Sequence, residues 1–230
     1  AILFFLPVHI KLSAHMGDHI MRSVMVAALA LVLMGCHAAY YGAAEKVGYH
    51  KRDILVDRVE DSRDAQVEAE EQFQSALDQL MELTNFDGGD LEDMYEQLAD
   101  EYEDSEDAAQ NVRDRIDGVE NVAAALFKEW QTEIEQYSSA ALKADSQAKL
   151  RETRGRYDAM VAALRASEAR MDPVLAALKD NVMYLKHNLN ARAVASLKVE
   201  FTSIENDIEL LIAEMRKAID TSDAFIASMQ

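Results

Sequence analysis

Residues 91–137 read LEDMYEQLADEYEDSEDAAQNVRDRIDGVENVAAALFKEWQTEIEQY. Within them Leu91, Tyr95, Leu98, Tyr102, Ser105, Ala109, Val112, Ile116, Val119, Ala123, Leu126, Trp130, Glu133 and Tyr137 succeed one another at alternating steps of four and three. A spacing of two positions in seven puts these side chains on one stripe of an α-helix. No proline interrupts the stretch. It predicts a helix about 70 Å long whose stripe needs partner helices.

Partners stand on either side. Upstream, Leu55, Val59, Ser62, Gln66, Ala69, Phe73, Ala76, Leu80 and Leu83 keep the same steps, with small or polar residues in the middle. Phe86-Asp87-Gly88-Gly89-Asp90 then breaks the pattern. Paired glycines end a helix and let the chain reverse, and Asp90 suits the cap of the next one. Downstream, a turn is expected between 138 and 147. Leu150, Thr153, Tyr157, Met160, Leu164, Ser167, Met171, Val174, Leu178, Asn181, Leu185 and Asn188 form the third stripe. Asp172-Pro173 lies inside it, but the register continues across the proline. A kinked continuous helix is therefore expected, with a break capped by Asp172 as the alternative. After Asn188-Leu189-Asn190 a fourth stripe runs Leu197, Phe201, Ile204, Ile208, Leu211, Met215, Ala218, Ser222, Phe225. The expected fold is all-α: an elongated antiparallel bundle, or coiled coil, of four long helices. Three helices are the alternative if the thin first stripe packs poorly.

Composition agrees with helix. The 230 residues include only two prolines and eight glycines, and 50% are hydrophobic. A single cysteine excludes an intrachain disulfide and a cysteine-cluster zinc site. The net charge of −19 argues against nucleic acid as a partner, because phosphate is bound by Lys and Arg. The charge is also unevenly spread. Residues 53–137 hold 27 acidic and 5 basic side chains, whereas 138–193 hold 6 and 10. The third segment is accordingly expected to neighbour the first two.

The N-terminal part reads differently. Residues 1–20 have no recognisable fold pattern, and Met16 and Met21 are candidate starts. Arg22 precedes an apolar run from Val24 to Met34, which ends in Leu33-Met34-Gly35-Cys36. A short positive region, a short apolar core and small residues describe a secretory signal. The run is about half of what a bilayer-spanning helix needs. Leu33, Met34, Gly35 and Cys36 resemble the lipobox of bacterial lipoproteins, in which the cysteine sulfur receives a diacylglyceryl group before cleavage ahead of that cysteine. Met34 departs from the pattern, which prefers a smaller residue. Cys36 is thus the expected lipidation site, and Leu33, Met34 and Gly35 the signal-recognition residues. Cleavage near Ala38 and Ala39, releasing a soluble chain, is the alternative. The expected organisation is upstream residues and a leader over 1–35, a lipid-anchored tether and helix entry over 36–52 and a helical bundle over 53–230. The tether's Tyr40, Tyr41, Tyr49, Lys46, Lys51 and Arg52 would suit a headgroup region. His37 follows the cysteine in place of Asp, which by enterobacterial sorting rules implies the outer membrane.

Lys46 to Val59, Met171-Asp172-Pro173-Val174-Leu175 and Leu185 to Ala193 resemble an uncharacterised bacterial family, domain of unknown function 2959. The resemblance covers nearly all of 36–230. It implies a helical, mostly lipoprotein-like family and brings neither an activity nor functional residues.

No catalytic constellation stands out. The sequence has no nucleophile elbow, no phosphate-cradling glycine loop and no Glu-x-x-His pair of the di-iron bundles. His50 and His187 are isolated. Asp93, Glu96 and Asp100 share one helix face, where a divalent cation is conceivable, but a solvated face is the expectation. Lys149, Arg151, Arg154 and Arg156 are expected to bridge to the acidic helices. Trp130, Tyr95, Tyr102 and Tyr137 are expected in the core. The sequence therefore points to a non-enzymatic, lipid-anchored envelope protein facing the periplasm, with no cofactor, a membrane contact through its lipid, a protein partner and room for a homo-oligomer. The alternatives are a soluble intracellular coiled-coil protein in a larger complex, or an acidic cation-binding envelope protein.

Overall fold

The computed structural model describes residues 51–85, 88 and 90–229. Four α-helices succeed one another: α1 Lys51–Thr84, α2 Leu91–Gln136, α3 Ala140–Lys186 and α4 Ala191–Met229. They belong to one compact unit, Lys51–Gln230. The expected all-α bundle of four helices is present.

Each helix packs on two others: α1 on α2 and α4, and α3 on α2 and α4. The pairs are antiparallel. Along α1, Lys51, Asp61 and Gln72 meet Glu129, Arg115 and Glu101 in that order, so one chain rises as the other falls. Arg63 and Glu70 meet Asp223 and Arg216 of α4 in the same sense. The starts of α1 and α3 and the ends of α2 and α4 share one end, here the proximal end; the α1–α2 and α3–α4 turns form the distal end. One expectation is corrected. The basic third segment neighbours the second, but α1 and α3 lie diagonally across the core. Apolar burial overrides a charge bias whose pairs contribute at most about 1 kcal/mol each.

The turns are built from the expected residue types. Gly88 has φ +142°, a conformation that a side chain would strain. Asp90 caps α2, its carboxylate accepting from the Glu92 amide at 2.9 Å. Tyr137, in extended backbone, ends α2, and the Ser139 hydroxyl accepts from the Leu142 amide. Asn190 caps α4, its side-chain oxygen accepting from the amides of Arg192 and Ala193. α3 continues through Pro173, as the unbroken register requires.

The stripes become the core. All nine residues of the first stripe, from Leu55 to Leu83, are buried, including the thin middle. There Gln66 and Ser167 bond across the diagonal: the amide nitrogen donates to the hydroxyl at 2.9 Å. Ser167 also reaches the carbonyl of Leu164, and Ser222 that of Ala218. Two buried polar atoms have no partner among the described residues, Ser62 Oγ and Asn181 Oδ1.

The second stripe holds as far as Leu126 and then shifts. Phe127 and Ile134 are buried, whereas Glu133 and Tyr137 are exposed and Trp130 is half-buried. Val119, Ala123 and Phe127 are separated by two successive steps of four. Such an extra step locally unwinds the supercoil and moves the buried stripe sideways. The expectation that Trp130 and Tyr137 lie in the core is thereby corrected. Tyr95 and Tyr102 are only half-buried as well.

Candidate functional site

Leu33, Met34, Gly35 and Cys36, with the tether as far as His50, lie outside the described residues. Among the described residues no helix is long and apolar enough to cross a membrane. No group of three His, Cys, Asp or Glu gathers there to hold a metal ion, so Asp93, Glu96 and Asp100 form no ready-made cluster. His187 stands at the C-cap of α3.

The proximal end carries a groove of about 450 Å³. All four helices contribute: Arg52 from α1; Leu126, Glu129, Trp130 and Glu133 from α2; Lys149, Glu152, Thr153 and Arg156 from α3; Ser228 and Met229 from α4. The sideways shift of the α2 stripe is what leaves Trp130 at this wall. Its indole nitrogen donates to Ser146 Oγ at 2.9 Å, tying α2 to α3. Most charged groups of the lining have a partner. Arg52 donates to the Met229 carbonyl, Lys51 pairs with Glu129 at 2.9 Å, and Lys149 with Asp145 at 2.9 Å. Arg156 pairs with Glu152. Asp145 beside Lys149 raises that ammonium's pKa above its ordinary value.

Beneath the groove Tyr157 links two helices. Its ring lies edge-on to Phe127 of α2 at 5.2 Å and to Phe225 of α4 at 6.3 Å. Burial pushes the phenol up to about 12, helped by the negative charge of Glu120 and Asp158. Arg154 lies over the other partner, Phe127, 5.1 Å from its ring centre.

The expected bridging role of Lys149, Arg151, Arg154 and Arg156 is corrected. Lys149 and Arg156 pair within α3, and Arg154 stacks on Phe127. The α2–α3 bridges come instead from three other cations. Arg165 donates to Asp117 at 2.6 Å and to Glu120 at 2.7 Å, and pairs with Glu168. These acceptors, Glu120 foremost, raise its pKa further above the ordinary guanidinium value. Arg113 reaches back from α2 to Asp172 at 2.5 Å, and Lys143 pairs with Glu135 at 2.6 Å. Net segment charge could not identify these side chains, because the register of the antiparallel pair selects them.

At the distal end a second cleft of about 360 Å³ lies between α3 and α4, lined by Asp180, Asn181, Tyr184, Ser196, Leu197 and Glu200. Lys179 lies 6.0 Å from the ring centre of Tyr102 on α2. Burial and a hydrogen bond to Glu106 raise that phenol's pKa.

Neither the curated proteins nor the solved structures give a match to the chain. The family model described as "Protein of unknown function (DUF2959)" matches residues 40–229, which span all four helices. The chain belongs to that family.

Proposed function

We propose that the protein is a non-enzymatic, lipid-anchored protein of a bacterial envelope, in which the bundle serves as a spacer, scaffold or partner-binding module. The observation that carries this reading is the sequence Leu33-Met34-Gly35-Cys36. It places the chain's single thiol at the end of a short apolar leader, where a lipoprotein is acylated. The helical part of the chain adds support: four helices bound together by apolar stripes, a form suited to holding partners apart. Acyl chains at Cys36 would hold the chain firmly, because each buried methylene contributes about 0.8 kcal/mol. The anchored chain faces the periplasm, and His37 favours the outer membrane.

The test is the intact mass of the native product with its partition between membrane and soluble fractions. A chain starting at an acylated Cys36 and sedimenting with membranes is expected. Replacing Cys36 by Ser should release it. An unprocessed, unmodified chain in the cytosolic fraction would overturn the reading.

A further inference from the structure

The charge that the sequence concentrates between Arg63 and Arg113 is distributed along the bundle in a directed way. Those intervening residues carry 17 acidic side chains and no basic one. They make up the later part of α1 and the early part of α2, on either side of the distal turn. At the proximal end the start of α3 is of opposite character, beside an α2 end that carries Glu129, Glu133 and Glu135. Residues 140–156, the start of α3, carry five basic and two acidic side chains. Apolar groups stand out beside them: Leu142 is 57% exposed and Tyr137 45% exposed. Trp130 is half-buried in the wall of the adjoining groove, where Arg52, Lys149 and Arg156 stand with Glu129, Glu133 and Glu152.

Exposed apolar and aromatic groups ringed by Lys and Arg suit a phospholipid interface, where the ring sits among headgroups and the cations meet phosphate. The pair that occupies Lys149 is weak: its side chain is 65% exposed and that of its partner Asp145 58%, so a headgroup phosphate can compete with Asp145. At the other end, the acidic turn is repelled by the same surface.

We propose that the proximal end, through Tyr137, Leu142 and the cations Lys149, Arg151 and Arg156, rests on an anionic phospholipid surface and stands the bundle upright with its acidic end outward. This rests on the lipid-anchored reading above and adds an orientation to it. The geometry is consistent in reach: α1 begins at the proximal end, and the 15 residues from Cys36 to Lys51 span at most about 50 Å.

Trp130 is the chain's single tryptophan and marks this end. The full acylated chain is placed in phosphatidylethanolamine vesicles, with or without phosphatidylglycerol, containing a trace of dansyl-headgroup lipid. Energy transfer from Trp130 to dansyl should rise roughly twofold when phosphatidylglycerol is present and fall back when salt screens the surface. The double substitution Lys149→Glu and Arg151→Glu, on exposed side chains, should abolish the rise while helicity is unchanged. Equal transfer in both vesicles, or a rise that survives the double substitution, overturns the proposal. An unacylated native product overturns the anchor alone. Flotation of the full chain carrying Cys36→Ser, with and without the two charge substitutions, then reads the patch by the same dependence on phosphatidylglycerol.

Discussion

Gln66 of α1 and Ser167 of α3 hydrogen-bond at 2.9 Å across the diagonal of the bundle, both fully buried. Each belongs to a helix that packs mainly on the other two, so their bond ties the two diagonal helices directly. A polar pair inside a core contributes little net stability, but breaking it leaves unsatisfied groups. Gln66→Ala should therefore lower stability by about 1–3 kcal/mol. The double substitution Gln66→Leu with Ser167→Ala should recover most of that loss. Urea unfolding monitored by helical signal measures both, and a double variant as unstable as the single one would contradict the argument.

Arg165 holds three carboxylates of two helices, Asp117, Glu120 and Glu168. Its side chain is about one-third exposed, so water screens the network. Arg165→Met should cost about 1 kcal/mol in dilute buffer. Repeating the urea titration in about 1 M salt should shrink the difference. A cost that is unchanged by salt would assign the residue's role to packing of its stem.

The Tyr157 phenol has its pKa pushed up from 10.0 to about 12 by burial against Phe127 and Phe225. The folded state therefore keeps its proton where the unfolded chain releases it. Stability is unaffected below about pH 10 and declines as pH rises through the interval to 12. Tyr157→Phe should flatten that part of the alkaline decline without altering the rest of the profile. The comparison needs only thermal melts of the two proteins across the interval, and identical slopes would refute it.

Asn181 lies in the α3 stripe, where its amide nitrogen donates to the Ala177 carbonyl at 2.7 Å and its oxygen has no partner among the described residues. A buried acceptor left unmatched opposes folding. Asn181→Leu should raise stability by about 1 kcal/mol. A loss of that size in the melting experiment would show that the oxygen is satisfied in solution.

The degree to which this architecture was legible in the amino-acid sequence tracks the stripes. In α1 every position of the steps from Leu55 to Leu83 is buried, and in α3 every position from Met160 to Leu185, with flanking residues such as Leu77 and Leu175 buried beside them. Steps of three and four average to the pitch of a supercoiled helix, so one-dimensional spacing suffices while that pitch lasts. It stops sufficing at Val119, Ala123 and Phe127. A chain of apolar residues there admits two continuations, and the structure takes the one in which Phe127 packs against Tyr157 over the line toward Glu133. The groove at Trp130 was hidden for the same reason. It exists because the stripe leaves Trp130 behind, and its walls come from four segments far apart in the sequence. The stretch Leu33 to Cys36 lies outside the described residues, so its reading stands on the sequence alone.

At the proximal end Arg52, at the start of α1, holds the Met229 carbonyl at the end of α4. A pull that separates these two residues acts across the α1–α4 seam and opens it one layer at a time, like a zip. A pull between Arg52 and the α3–α4 turn runs along the helices and must shear many layers at once. The same bundle is thus compliant to tension applied between its two chain ends and stiff to tension transmitted from end to end.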